Sequence, residues 1–382
     1  MFGLNTGFLM ADGRDIDASE DERFMQRAIA LAQMSAGATS PNPMVGCVIV
    51  RNGEIVGEGW HAGPGKLHAE PAALAAAGDA ARGATAYVTL EPCNHHGRTP
   101  PCSSALIDAG LREIVYAIDD PNPTARGGAV ALRAAGVIVR SGVCHAQAYE
   151  LNRAWFHSVE IGRPYVVAKA AMSVDGRVAT SAGESKWITG ECARRKGHEL
   201  RWRSDAIIVG ADTVIHDDPT LTARINEDVR HPLRIVLDSK GRTSPGAKVF
   251  ERSGKGAVLA TTPALSAART NEYFEFGVDV MRISADDKGR VDLHDLLNTL
   301  HQRGVVSVMV EGGGRTLGAF LEHDLIDEAW LFLAPVMLGS GRAAFDGASP
   351  SRLADAARFD FDEPQMLGPD IFIRARRNRE AV

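Results

Sequence analysis

Three side chains that can bind a metal lie well apart in the chain, and they constrain its fold more than any other feature: His68, Cys93 and Cys102. Zinc takes nitrogen and sulfur ligands in a tetrahedron, and a catalytic zinc leaves one corner for water. If these three residues share an ion, the chain between 68 and 102 must fold back on itself. The flanking segments allow this. VGCVIVRNGEIVGEGW (45–60) sets two apolar runs around Asn52-Gly53, a pair suited to the positive φ of a hairpin turn. An Ala-rich stretch from His68 to Ala77 reads as a helix ended by Gly78, AYVTL (86–90) as a buried strand, and Cys102 to Ala109 as a short helix ended by Gly110. His68 and Cys102 thus fall where helices begin, and helix N-termini stabilise thiolate. Pro100 and Pro101 suit a loop that enters a helix.

Glu70 follows His68 by two residues. A carboxylate there can take a proton from water and return it to a ring nitrogen and to departing ammonia. Zinc lowers the pKa of a bound water, so a nucleophile exists near neutral pH. An H-x-E followed by P-C-x-x-C is the signature of zinc deaminases that act on nitrogen-rich rings. Here eight residues, not two, separate the cysteines. Against zinc stands the frequency of chance H-x-E runs and of cysteines that serve as small buried hydrophobes. The ordered run of H-A-E, E-P-C and P-P-C at element ends favours zinc. Cys47 reads as core, and Cys144 and Cys192 as structural. His95, His96, His145, His198 and His301 read as surface or satisfied, with His95 an exception because it lies between the two cysteines.

The 382 residues suit two domains. Residues 1–18 read as a loose extension without a secretion signal. Ser19 to Met34 reads as a first helix, with a Ser19/Glu22 capping box and Phe24, Ala28, Leu31 and Ala32 on one face. EIVYAI and VIVRSG add strands, and Ala146 to Val159 a linking helix ahead of Arg163-Pro164. The second part supplies the strands YVVAKAAMS, DAIIVG, LRIVLDS, GAVLAT, VVSVMV, AWLFLA and IFIRA. Its helices are Glu191–Arg203, Leu293–Gln302 and GRTLGAFLEH, the last following glycines 312 to 314. This alternation implies an α/β fold. A net charge of −6 offers no basic field for nucleic acid. No apolar run approaches a membrane span. An odd count of five cysteines argues for a reducing, cytoplasmic setting rather than a disulfide framework.

Several motifs together resemble the bifunctional riboflavin-biosynthesis deaminase–reductase family. They are PNPMVG (41–46), HAE (68–70), TLEPCNHHGRTPPC (89–102) and DPNP (120–123), then AAMSVDGR (170–177), GESKWIT (183–189), VGADTVIHDDPTLT (209–222) and VEGGG (310–314). The long loop between the cysteines is typical of that family. The resemblance implies a cytidine-deaminase-like zinc domain over 19–145, a linker over 146–163 and a dihydrofolate-reductase-like, NADPH-dependent domain over 164–382. The first would deaminate 2,5-diamino-6-(5-phosphoribosylamino)pyrimidin-4-one, and the second would reduce the ribosyl chain to give 5-amino-6-(5-phosphoribitylamino)uracil. One zinc per chain, NADPH and a homo-oligomer are implied.

By the same resemblance, Asn42, His61, His95, Arg98 and Asn122 contact the deaminase substrate, although the family often has lysine at the Arg98 position. Ala171, Trp187, Thr213, Asp217, Ser239 and the run Gly313, Gly314, Arg315, Thr316, Leu317, Gly318, Ala319 contact the dinucleotide. Ser185, Arg201, Leu221, Arg224 and Glu311 face the reductase substrate, while Lys169 and Asp175, polar residues in an otherwise apolar segment, read as candidates for orienting the reacting sugar. A glycine-rich turn opening a helix offers backbone N–H groups to a pyrophosphate. Two other readings stay open. One is a single-function nucleobase or tRNA deaminase with a non-catalytic C-terminal domain. The other is a zinc-stabilised regulatory module.

Overall fold

The computed structural model describes residues 18–96, 100–225, 231–251, 253–347 and 349–379. They form two compact units that divide between Arg153 and Ala154.

In the first unit the order is α1 (Ala18–Gln33), β1 (Gly46–Arg51), β2 (Glu54–Trp60), α2 (Ala69–Ala77), β3 (Thr85–Val88), α3 (Cys102–Asp108), β4 (Glu113–Tyr116), α4 (Gly128–Ala134), β5 (Ile138–Ser141) and α5 (His145–Leu151). α1 begins at Ala18, one residue before the expected Ser19 cap. Most of the expected extension, residues 1–17, lies outside the described residues. The sheet runs β2-β1-β3-β4-β5, antiparallel around β1 and parallel from β3 to β5. Five consecutive residues of β1, Gly46 to Val50, are buried, so helices cover both sheet faces. Cys47 and Ile49 join Ala69, Ala73, Leu106 and Leu132 in the core under α2, α3 and α4. On the other face Tyr87 meets Phe24 of α1, ring centroids 5.3 Å apart, and donates to Asp21 at 2.7 Å.

Two glycines of β2 decide how near α2 can lie. A Cβ on Gly59 would stand 2.4 Å from both the Ala69 oxygen and the Ala73 nitrogen, and one on Gly57 would stand 2.4 Å from the Ala73 oxygen. Only glycine tolerates this approach, and it sets the N-terminus of α2 over the end of the sheet.

The expected linker helix is two helices. Asn152 interrupts it because its side chain bonds the Met44 backbone twice, accepting from the N–H and donating to the carbonyl, each at 2.8 Å. α6 (Arg153–Ile161) packs within the second unit: Trp155 and Phe156 are buried, and Ser158 meets His301 at 3.1 Å.

The second unit continues with β6 (Tyr165–Ser173), β7 (Arg177–Ala179), α7 (Glu191–Arg203), β8 (Ala206–Gly210), α8 (Ala211–Asp217), β9 (Leu233–Leu237), β10 (Ala257–Thr261), α9 (Ala267–Glu275) and β11 (Asp279–Arg282). It ends with α10 (Leu293–Gln302), β12 (Ser307–Val310), α11 (Gly314–Glu322), β13 (Glu328–Ala334), β14 (Arg342–Ala343), β15 (Arg358–Phe361), β16 (Gln365–Leu367) and β17 (Asp370–Asn378). Its main sheet runs β11-β10-β9-β8-β12-β6-β13-β17-β15, parallel from β11 to β13. α10 shows what fixes a helix here. Leu293, Leu296, Leu297 and Leu300 are all buried on one face, each contributing roughly 1.5–3 kcal/mol. In parallel α/β sheets ligands bind beyond the carboxyl ends of the strands. The loops leaving β8, β9 and β12 all lead to one cleft there.

Candidate active sites

His68 caps α2, Cys102 opens α3, and Cys93 lies on the loop after β3. The fold brings them together. His68 Nδ1 stands 3.3 Å from Cys102 Sγ and 3.7 Å from Cys93 Sγ, and all three donor atoms lie within 4.8 Å of one another. Zn–S and Zn–N bonds of about 2.3 and 2.05 Å at tetrahedral angles place N and S about 3.5 Å apart, so the trio has the span of a zinc site. Its electrostatics agree. The Cys102 thiol and His68 pull the Cys93 thiol down to about 4, and Cys93 and burial push Cys102 far up. One thiolate is therefore comfortable, and a second beside a buried carboxylate needs a cation.

That carboxylate is Glu70, 3% exposed in the first turn of α2 and pushed up to about 7 by burial and then by Cys93. His61 packs edge-on against His68, centroids 5.4 Å apart. Its Nδ1 donates to the Leu67 carbonyl at 3.1 Å, so its Nε2 accepts from the Asn42 amide at 3.1 Å. Burial holds His61 below its ordinary value, in keeping with a neutral ring. The Nδ1 of His95 is buried and without a partner among the described residues. Asn122 lies on the loop after β4 and is held by an Asx turn, its N–H donating to Asp120 at 2.8 Å. Arg98 lies outside the described residues.

The second unit holds a cleft of ≈ 1680 Å³, larger than the roughly 300–1,000 Å³ of ordinary ligand pockets and so roomy enough for two ligands. Among the described residues thirteen Lys and Arg line it against seven Asp and Glu, an inversion of the chain's net −6. Glu311, just past β12, accepts from Lys169 at 3.0 Å and from Arg201 at 2.7 Å. Burial pushes its carboxyl up, but these two cations hold it well below the usual range. Arg201 also donates to the Thr222 carbonyl at 3.1 Å, next to Leu221, whose φ of 54° is a strained conformation for a leucine. The Gly313 N–H donates to Thr213 at 3.1 Å and leads into α11. Ala171, Ser185, Trp187, Asp217, Ser239, Arg224, Gly314, Arg315, Thr316, Leu317 and Ala319 line the same cleft. Trp187 is 71% exposed, with the Arg194 guanidinium 4.7 Å from its ring centroid.

The structure places two of the expected residues elsewhere. Asp175 accepts from the Leu338 and Gly339 N–H groups and from Ser173, so it ties a turn and does not line the cleft. Gly318 is buried on α11, and a Cβ there would sit 2.0 Å from the Asp346 oxygen, so it serves packing. His198 is the residue that sequence reasoning set aside. It lines the cleft between Arg201 and Arg224, and burial with these cations lowers it to about 4. Arg194, His198 and Arg201 stand at i, i+4 and i+7 of α7, and that stripe was visible in the sequence.

Residues 164–373 match the family model of the RibD C-terminal domain, and residues 18–118 match that of the cytidine and deoxycytidylate deaminase zinc-binding region. The riboflavin biosynthesis protein RibD of Escherichia coli K12 is 42% identical over 370 residues, 92% of this chain and 98% of that protein. The chain belongs to the RibD family. RibD of Aquifex aeolicus is 40% identical, covering 94% of this chain and 98% of its own length. The structure of Acinetobacter baumannii RibD matches with a TM-score of 0.86 at 39% identity, covering 95% of this chain and 100% of that one. A Thermotoga maritima diaminohydroxyphosphoribosylaminopyrimidine deaminase/5-amino-6-(5-phosphoribosylamino)uracil reductase matches at 0.84 and 34% identity, with the same coverage. As a RibD, the chain is a bifunctional deaminase and reductase of riboflavin biosynthesis. Zinc is the cofactor of its cytidine-deaminase-like domain and NADPH that of its reductase domain. A single-function deaminase is not favoured. Among the described residues no helix is long and apolar enough to cross a membrane.

Proposed function

We propose that the first site hydrolyses the 2-amino group of 2,5-diamino-6-(5-phosphoribosylamino)pyrimidin-4-one and that the cleft then reduces the deaminated product to 5-amino-6-(5-phosphoribitylamino)uracil. The observation that carries this reading is the pairing of a buried Glu70 with a zinc-spaced trio in one unit and a positively lined cleft in the other. When bound, zinc activates a water at His68, Cys93 and Cys102, and NADPH supplies a hydride at the cleft. Glu70 carries one proton of the water to the ring nitrogen and then the second to the departing ammonia, so that a C–O bond replaces a C–N bond. Asn42, oriented by His61, pairs with the ring edge, and His95, Asn122 and Arg98 hold the ribose phosphate end. In the cleft, Lys169, Ser185, Arg201, Leu221, Arg224 and Glu311 seat the sugar phosphate. The start of α11, at Gly314 and Arg315, offers N–H groups to the pyrophosphate, with Ala171, Trp187, Thr213, Asp217, Ser239, Gly313, Thr316, Leu317 and Ala319 around the rest of the dinucleotide. The enzyme works in the cytoplasm as a homo-oligomer.

Two variants test this division of labour. Glu70→Gln is expected to keep zinc and reduce the deaminated compound normally while deamination falls about 10²–10⁴-fold. Arg201→Ala is expected to weaken reduction at least about tenfold, since the buried Glu311 loses a partner, and to leave deamination unchanged. Deamination by Glu70→Gln above a tenth of the wild-type rate, or equal loss of both activities in Arg201→Ala, contradicts the assignment.

A further inference from the structure

We propose that Glu91 is a positioning residue for deamination: its carboxylate locks the metal-bearing segment to the loop that presents Asn122. Glu91 is 8% exposed and precedes Cys93 by two residues. Its Oε1 accepts from the N–H groups of Gly127 (3.1 Å) and Ala129 (3.0 Å), and its Oε2 accepts from that of Asp120 (3.3 Å). All three donors are backbone, and they bracket residues 120–129. The two segments touch elsewhere as well. Asn94 N–H donates to the Ala125 carbonyl at 2.8 Å, Glu91 N–H to the Ile118 carbonyl at 2.9 Å, and a Cβ on Gly128 would fall 1.8 Å from the Pro92 oxygen. Asn122 sits within the bracketed loop, its own N–H bound to Asp120, whose N–H is bound to Glu91. The carboxylate thus ties the segment that carries Cys93 to the loop that carries Asn122 without touching either residue.

This rests on the assignment of Asn122 to the deaminase substrate. A loop out of register weakens ground-state and transition-state contacts alike, which raises KM more than it lowers kcat. Glutamine at position 91 keeps an acceptor for Gly127 and Ala129 and turns an N–H₂ toward the Asp120 N–H, so one bond becomes a clash of donors. In the full-length, zinc-loaded chain, Glu91→Gln is expected to raise the deaminase KM about tenfold, with kcat within about threefold of wild type. Zinc is expected to stay at one per chain, and reduction of the deaminated compound to be unchanged. Gly128→Ala, which forces the segments apart without altering Glu91, is expected to show the same KM defect. Asn122→Ala serves as the reference. A wild-type KM in Glu91→Gln beside a raised KM in Asn122→Ala overturns the lock alone. A wild-type KM in both overturns the Asn122 contact on which it rests. Loss of zinc as the only defect in Glu91→Gln also overturns the proposal.

Discussion

His157 stands 3.5 Å from the Asp327 carboxylate, yet burial keeps it neutral and lowers it from its ordinary 6.5 to about 4. Asp327 cannot rescue the charge because Arg163 already holds it with two 2.7 Å bonds, Arg379 with one of 3.0 Å and the Val166 N–H with one of 2.9 Å. In the unfolded chain the ring protonates near 6.5, so unfolding takes up about one proton between pH 6.5 and 4. The stability this ring contributes is whole above 6.5 and is lost as pH falls toward 4, on the order of 3 kcal/mol in all. His157→Phe keeps the edge-on packing against Tyr165 and removes the titration. Urea unfolding at several pH values is expected to show a flatter acid limb in the variant, and an unchanged limb contradicts this. Residues of this kind were not legible in the sequence, because their state depends on partners 160 or more positions away. The trio and Glu70 were legible because zinc chemistry demands those atoms in that order. His198 was legible in principle, through its helical spacing to two arginines, and was missed because a lone histidine is usually unremarkable.

At the scale of elements, α2 is the most demanding placement, since it carries both His68 and Glu70. Gly57 and Gly59 let it press onto β2. Gly59→Val would drive a side chain into the α2 backbone and cost about 1–3 kcal/mol. It is expected to lower the zinc retained per chain after dialysis and to abolish deamination while reduction persists. Full zinc retention with normal deamination contradicts this role. Helices with a long apolar stripe or a clear stop were legible: α7 and α10 span the residues expected, and α2 ends at Gly78. α8 and α9 were not foreseen. α9 buries only Thr270 and Tyr273, too little periodicity to register. β7, β14, β15 and β16 are two to four residues long and owe their strand geometry to pairing rather than to pattern. The linker helix was read as continuous because nothing local marks Asn152, whose partner Met44 lies across the first unit.

At the scale of the whole molecule, composition was right about the average and silent about the distribution. A net charge of −6 coexists with a cleft in which, among the described residues, thirteen cations face seven anions, the surroundings that phosphate-bearing ligands need. The two-unit division followed from length; the compact units part after Arg153, with α6 packed into the second, while the matched C-terminal family region begins at Pro164. The central claim is that one chain carries two chemically independent sites acting in sequence. Mass spectrometry of the zinc-loaded protein with the diaminopyrimidine ribotide, first without and then with NADPH, tests it most directly. We expect exchange of NH for O without NADPH, followed by a gain of two hydrogens once it is added. A gain of two hydrogens without prior exchange, or exchange that itself requires NADPH, would contradict the claim.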